Sequence, residues 1–215
     1  MSISVVLADD HAVVRDGLKL LLEGQRDITV VGLASNGREA VKLVQKLSPD
    51  VAVLDIAMPE LNGIEAALRI REASPRTRTI MLSMHATSEH VFRSLQAGAA
   101  GYLLKESAGS EVVKAVRAVH AGRRYLSEKI GDAGSVAGGP ALSRARSPLE
   151  RLSEREREVL QLVVEGRSSA EIASAINLSP KTVETYRSRI MQKLDVHDVA
   201  GLVKFALQHG VTGEE

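Results

Sequence analysis

The spacing of apolar and polar positions alternates between two periods over residues 1 to about 122. Short runs rich in Val, Ile and Leu stand at "ISVVLA" (3–8), "ITVVGLA" (28–34), "DVAVLD" (50–55), "RTIMLS" (78–83) and "AGYLL" (100–104). Between them lie "AVVRDGLKLLLEG", "NGREAVKLVQKL", "NGIEAALRIREA" and "SEHVFRSLQAG", with apolar residues three and four apart, and a fifth such stretch, "SEVVKAVRAVHAG", follows. The short runs read as strands and the 3.6-period stretches as helices. Five strand–helix repeats predict a parallel sheet with helices on both faces. The third run is almost wholly apolar, as a central strand buried on both sides should be.

The pattern then breaks. Residues 123–148, "RRYLSEKIGDAGSVAGGPALSRARSP", are rich in Gly, Ala, Ser and Arg without sustained periodicity, and are expected to be a linker. From 149 to 215 the period is helical throughout, with helices expected at about 153–165, 168–176, 180–193 and 198–209. Ser153 with Glu156 and Ser168 with Glu171 have capping-box spacing; Ser179–Pro180 suits an N-cap followed by proline at the first helical position. The second and third of these helices are joined by the short "NLS", which predicts a helix-turn-helix.

Composition narrows the chemistry. The chain has 215 residues and no cysteine, which excludes disulfides, thiolate catalysis and cysteine-ligated zinc and suits a reducing cytoplasm. No segment is apolar enough for a membrane span, and the start "MSISVVLADDH" lacks the basic and apolar parts of a signal peptide. The formal net charge is +1, and neither 1–122 nor 149–215 is basic overall, so any nucleic-acid contact must come from a local patch.

In an open parallel sheet, ligands bind beyond the carboxyl ends of the strands, at the switch in strand order. The first strand ends in Asp9 and Asp10, the third in Asp55 and the fourth in Ser83, and Lys105 lies in the loop expected after the fifth. Singly, each has an ordinary explanation: a turn or helix cap for an Asp, a solvated lysine, a satisfied hydroxyl. Together they make a coherent set. Clustered carboxylates suit a hard cation such as Mg²⁺, an Asp can accept a phosphoryl group as nucleophile, and an ammonium and a hydroxyl can hold the phosphoryl oxygens. Asp55, at the end of a central strand, is the best placed nucleophile. His11, directly after the acids, is expected to start a helix rather than to bind metal.

These residues carry a resemblance. Asp9–Asp10, Asp55 in "VLDIAMPELNG", Ser83 in "MLSMH" and Lys105 in "GYLLK" make residues 1–122 similar to the receiver domain of two-component response regulators. The resemblance implies a flavodoxin-like, doubly wound five-stranded sheet of order 2-1-3-4-5. It further implies that Asp55 accepts phosphate from a phosphohistidine on a sensor histidine kinase. Mg²⁺ would be bound by Asp10, Asp55 and the Ala57 backbone carbonyl, with Asp9 acting mainly through a metal-bound water, and Ser83 and Tyr102 would move together as a switch pair. Two positions depart from the pattern: Glu106 follows the lysine where receivers often carry proline, and Met84 follows the switch hydroxyl where a small residue is common. Ala57 and His85 flank the expected phosphate and could gate the hydrolytic water.

The stretch "LSEREREVLQLVVEG…AEIASAINLSPKTVETYRSRIMQKLDV" resembles the LuxR-type helix-turn-helix, and with a receiver it places the chain beside the NarL/FixJ response regulators. In the helix over 180–194, Val183, Tyr186, Ile190 and Leu194 form the stripe expected to pack inward. The resemblance puts Glu184, Thr185 and Ser188 toward bases and Lys181, Thr182, Arg187 and Arg189 mostly toward phosphates. Glu184 stands where a basic residue is common; it could accept from cytosine, but a pair with Lys181 or Arg187 along the helix is favoured. Apolar residues of "DVAGLVKFALQ" suit either a dimer contact or the core. The implied partners are double-stranded DNA, a sensor histidine kinase, a second copy of the chain and RNA polymerase. No turnover is expected. Two other readings stay open: a Mg²⁺-dependent phosphohydrolase, against which Ala57 stands where such enzymes place a second acid, and a regulator that does not use phosphate.

Overall fold

In the computed structural model, which describes residues 2–85, 87–130 and 147–211, β1 (Ile3–Ala8), β2 (Ile28–Ala34), β3 (Val51–Asp55), β4 (Arg78–Ser83) and β5 (Gly101–Leu104) pair in parallel in the order β2-β1-β3-β4-β5. This is the expected order. Alternation along each strand sends successive side chains to opposite faces. Val5, Leu7, Val53, Ile80, Leu82 and Leu103 pack on one side with α1 (Ala12–Glu23) and α5 (Lys105–His120). Val6, Ala8, Leu54, Met81, Tyr102 and Leu104 pack on the other with α2 (Gly37–Leu47), α3 (Gly63–Ala73) and α4 (Ser88–Gln96). Each fully buried Leu, Ile or Val in these layers contributes about 1.5–3 kcal/mol relative to exposure.

Two features differ from expectation. The sheet has a sixth strand, β6 (Tyr125–Leu126), paired parallel to β5 within residues expected to be linker. After it, a 3-10 turn at Glu128–Ile130 buries Ile130 in the cluster of Tyr102 and Leu104. Burial of one Ile and one Ser, rather than periodicity, holds this piece. The remaining linker residues 131–146 lie outside the described residues. Secondly, Lys105 is not in a loop: α5 begins at Lys105 itself, directly after β5. No cis peptide bond occurs among the described residues.

The chain divides into two units, Met1–Arg144 and Ala145–Glu215. In the second, a 3-10 turn (Pro148–Arg151) precedes α6 (Glu154–Val164), α7 (Ser169–Ala175), α8 (Pro180–Leu194) and α9 (Val199–Gln208). The sequence signals act as expected. Both capping boxes form, Ser179 caps α8 with Pro180 in its first turn, and Gly166 takes φ +79° just beyond α6. Glu156, besides closing its capping box, accepts from Lys193 Nζ at 2.7 Å, tying α6 to α8. Leu160, Ile172, Val183, Ile190 and Leu202 form the buried centre, with Tyr186, Leu194 and Phe205 packed at its margin. Core packing therefore accounts for Leu202 and Phe205, while Val199 and Leu207 of α9 stay exposed.

Candidate functional site

Strand register brings the acids together. Ala8 pairs with Leu54, so Asp9 and Asp55 follow at the same level, and Ser83 pairs with Leu104, so Lys105 follows beside it. Asp9, Asp55 and Ser83 are buried, Asp10 is exposed, and the Lys105 side chain keeps only 9% of its surface. Lys105 Nζ lies 2.9 Å from Oδ2 of both Asp9 and Asp55. Among the described residues neither Oδ2 has another donor. One ammonium thus serves two buried carboxylates. Burial, and next the neighbouring Asp9, push the Asp55 carboxyl up to about 6, against the pull of Lys105.

His11 precedes α1 as its N-cap residue, the place expected for it, and its N–H donates to Asp9 Oδ1. Its Nδ1 is 2.8 Å from Asp10 Oδ1, and carboxylate oxygens of Asp9, Asp10 and Asp55 lie with that nitrogen within 4.8 Å of one another. The three carboxylates of that group, two of them with a buried oxygen met only by Lys105, fit a hard divalent cation. Ala57, two residues after Asp55, is half-buried in the bend that follows β3.

That bend is pinned by backbone. A Cβ on Gly63 would come 2.1 Å from the Asp55 carbonyl oxygen, and one on Gly37 would come 2.1 Å from that of Leu61. Only glycine allows these approaches. Asn62 and Asn36 cap the two helices that follow, each accepting from the N–H of the glutamate three residues on. The repeated "NG" of 36–37 and 62–63 was the available signal for both, although sequence reasoning gave them no role.

Ser83, Tyr102 and His85 already form one network. Tyr102 is fully buried and its hydroxyl donates to the His85 carbonyl at 2.8 Å, while the His85 N–H donates to Ser83 Oγ at 3.0 Å. Burial pushes the Tyr102 phenol up to about 12, against a hydrogen bond with Ser83. Met84 is exposed beside them.

In the helical unit, Lys181, Glu184, Thr185, Ser188 and Arg189 form an exposed stripe on α8, with Thr182 and Arg187 half-buried beside it. Val183 and Ile190 are buried and Tyr186 and Leu194 partly so, as the stripe predicted. Glu184 pairs with Arg187 along the helix, Nη1 to Oε1 at 3.5 Å. It also accepts from the Ser169 hydroxyl of α7, a partner the sequence did not reveal, and Arg187 donates to the same hydroxyl at 3.0 Å. Thr185 and Ser188 donate back to the carbonyls of Lys181 and Glu184, the habit of hydroxyls within helices.

Comparison with known proteins agrees with both units. Residues 5–117 match the response regulator receiver domain, and residues 150–206 match the bacterial regulatory proteins of the luxR family. Response regulator UvrY of Escherichia coli K12 is 39% identical, over 99% of this chain and 97% of that protein. The chain belongs to the NarL/FixJ-type response regulators. It is a regulator of transcription that couples a receiver to a LuxR-type DNA-binding domain.

Among solved structures, the RcsB–DNA complex matches with a TM-score of 0.59 and 27% identity, over 95% of this chain and 98% of that one. A structure of two RcsB dimers on two parallel DNAs matches with a TM-score of 0.58 and 27% identity, over the same shares. Among response regulators such as this one, the acidic cluster is the expected place for Mg²⁺. No helix of the described residues is long and apolar enough to cross a membrane.

Proposed function

We propose that Asp55 is the phosphoacceptor of this response regulator and that its phosphorylation controls DNA binding by α8. The observation that carries the reading is Lys105, whose ammonium is 2.9 Å from both Asp9 and Asp55 and so stands where the charge of an incoming phosphoryl group must be met. A carboxylate oxygen of Asp55 forms a P–O bond as the P–N bond of a phosphohistidine on a sensor histidine kinase breaks, and the electron pair returns to the imidazole. Asp10, Asp55 and the Ala57 carbonyl would hold Mg²⁺, and Asp9 its water. Bound there, the cation supplies charge neutralisation for the phosphoryl oxygens.

The chain's own residues do the rest. Lys105 takes one phosphoryl oxygen. Ser83 takes another by turning away from His85, which releases the network that ties His85 to Tyr102. Ala57 and His85 border the phosphoryl group and set access for hydrolytic water. The response is thus a two-state change around 83–106. The position two after Asp55, where an aspartyl phosphohydrolase places a second acid, is Ala57, which argues against turnover.

On DNA, Lys181, Thr182, Arg187 and Arg189 meet phosphates, while Glu184, Thr185 and Ser188 face bases in the major groove. Two copies bind two half-sites, a reading supported by the dimers of RcsB on DNA. The setting is the cytoplasm, with RNA polymerase as a further partner. The test is selection of DNA sites with and without a small phosphodonor and Mg²⁺, with oligomeric state read in the same samples. Phosphodonor is expected to tighten site binding and favour dimers in the native protein, and to do neither in Asp55→Asn. Equal responses in the two proteins would refute the switch.

A further inference from the structure

The first turn of α5 carries Lys105, yet its own sequence is poor at making a helix. It reads Lys105-Glu106-Ser107-Ala108-Gly109-Ser110, and Leu104 before it provides no side-chain cap. Gly109 is exposed, with nothing within 4 Å of where a Cβ would stand, so no close approach requires a glycine. A glycine inside a helix costs about 1 kcal/mol relative to alanine, and an uncapped start forgoes a similar amount. A buried ammonium whose place must be fixed therefore sits on a weak helical turn.

Residues 125–130 supply what the turn lacks. Ser127 is 1% exposed; its hydroxyl donates to Glu111 Oε2 at 2.6 Å and lies 2.7 Å from Ser107 Oγ. Ser107 Oγ is in turn 3.2 Å from the carbonyl oxygen of Leu104, the peptide that enters Lys105. The Ser127 N–H donates to the Tyr102 carbonyl at 2.9 Å, and Lys129 pairs with Glu106 at 3.0 Å. The last pair is exposed and contributes little. The buried part matters more. Against a Glu111 carboxylate, three oxygen–oxygen contacts share two hydroxyl protons. With the Ser127 proton on Glu111, the Ser107 proton goes either to Ser127 or to the Leu104 carbonyl. The start of α5 and the segment after it thus share one proton with two places to sit.

We propose that Ser127 is a positioning residue for Lys105, acting through Ser107 and Glu111, so that residues 125–130 belong to the phosphoryl site although they lie where the chain leaves the receiver. The inference rests on the reading that Lys105 meets the phosphoryl group on Asp55. Its converse follows from linkage: when Lys105 moves to that group, the Ser107 proton and the hold on Ser127 change with it.

The test compares four full-length proteins, native, Ser127→Ala, Lys105→Ala and the double variant, by the rate of Asp55 phosphorylation from a small acyl phosphate with saturating Mg²⁺. Ser127→Ala is expected to slow the maximal rate about tenfold, the scale of a small misplacement of a catalytic group. In the Lys105→Ala background it is expected to slow nothing further, because the residue it positions is gone. A native rate in Ser127→Ala overturns the inference. So does equal slowing in both backgrounds, which marks a general structural defect. A native rate in Lys105→Ala instead overturns the role of Lys105 on which the inference rests. Should Ser127→Ala fail to fold, Ser107→Ala, on the half-buried side of the same contact, is put through the same comparison.

Discussion

The acidic site of the receiver and the exposed face of α8 satisfy their polar groups in opposite ways. Asp9, Asp55, Ser83 and Tyr102 are almost wholly buried and are held by one another, by backbone and by Lys105. The polar residues on the exposed stripe of α8 are mostly in water, and Glu184, Thr185, Arg187 and Ser188 bond to their own helix or to Ser169. Charges in a dry site interact strongly and over fixed distances, whereas water and salt weaken those on a surface. The receiver therefore carries its chemistry ready-built, with too little positive charge. The helix carries a set of exposed side chains that the proposed reading assigns to DNA.

The comparison breaks first at Asp55. Replacing it with Asn removes the attacking oxygen and is expected to abolish phosphoryl incorporation. Residual labelling of that variant, read by separating phosphorylated from unmodified chain on a gel, would move the acceptor to Asp9 or Asp10. In the native protein without cation, the carboxyl at about 6 must be ionised to attack, so acceptance should fall as pH drops through that value.

Lys105 sharpens the comparison, because one change should move two quantities in opposite directions. Its ammonium occupies the oxygens of Asp9 and Asp55 that a cation would use. Lys105→Ala should raise Mg²⁺ affinity about tenfold, as expected when a competing charge is removed from a partly dry cluster. The same variant should slow phosphorylation about a hundredfold, the usual loss for one charge-stabilising donor. Calorimetric titration with Mg²⁺ and the phosphorylation rate check the two halves. A fall in both would mean that the ammonium holds the carboxylates in place rather than competing for them.

On α8 the expected losses are smaller and depend on salt. Lys181→Ala with Arg187→Ala should weaken DNA binding about tenfold and reduce the slope of log affinity against log salt by nearly 2, one unit per lost phosphate contact. Arg187 already spends one donor on Ser169 and lies beside Glu184. A slope change nearer 1 would show that it stays with those partners on DNA.

The same contrast explains what could be read from the chain. Asp9, Asp10, Asp55, Ser83 and Lys105 were legible because each lies at the end of a strand whose pattern is clear, and the parallel order brings those ends together. The caps of α6, α7 and α8 were legible because Ser153, Ser168 and Ser179 act within three residues of themselves. β6 was not. Two residues carry no period, and what fixes them, Ser127 on Glu111 and Ile130 beside Tyr102, joins positions far apart along the chain. Ser169 was missed for a similar reason, since its contact with Glu184 crosses from α7 to α8. Lys105 was placed in a loop because the weak helical sequence after it hides the true start of α5.

His90 separates burial from pairing inside the dry region. Like Lys105 it is nearly buried, at 8% exposed, but its Nδ1 has no hydrogen-bond partner among the described residues. Burial, then the nearby charges of Arg93 and His85, hold its imidazole down to about 4, with Glu89 opposing. The unfolded chain takes up that proton nearer 6.5, so between those values the unfolded state binds more protons and stability falls as pH falls. Going from pH 7 to 5.5 should cost about 1 kcal/mol through this group. His90→Leu should lose less stability over that interval than the native protein, by about that amount, in denaturant unfolding at the two pH values. An identical pH response in both would mean that the imidazole finds water or a partner as it is protonated, and that burial alone does not set its behaviour.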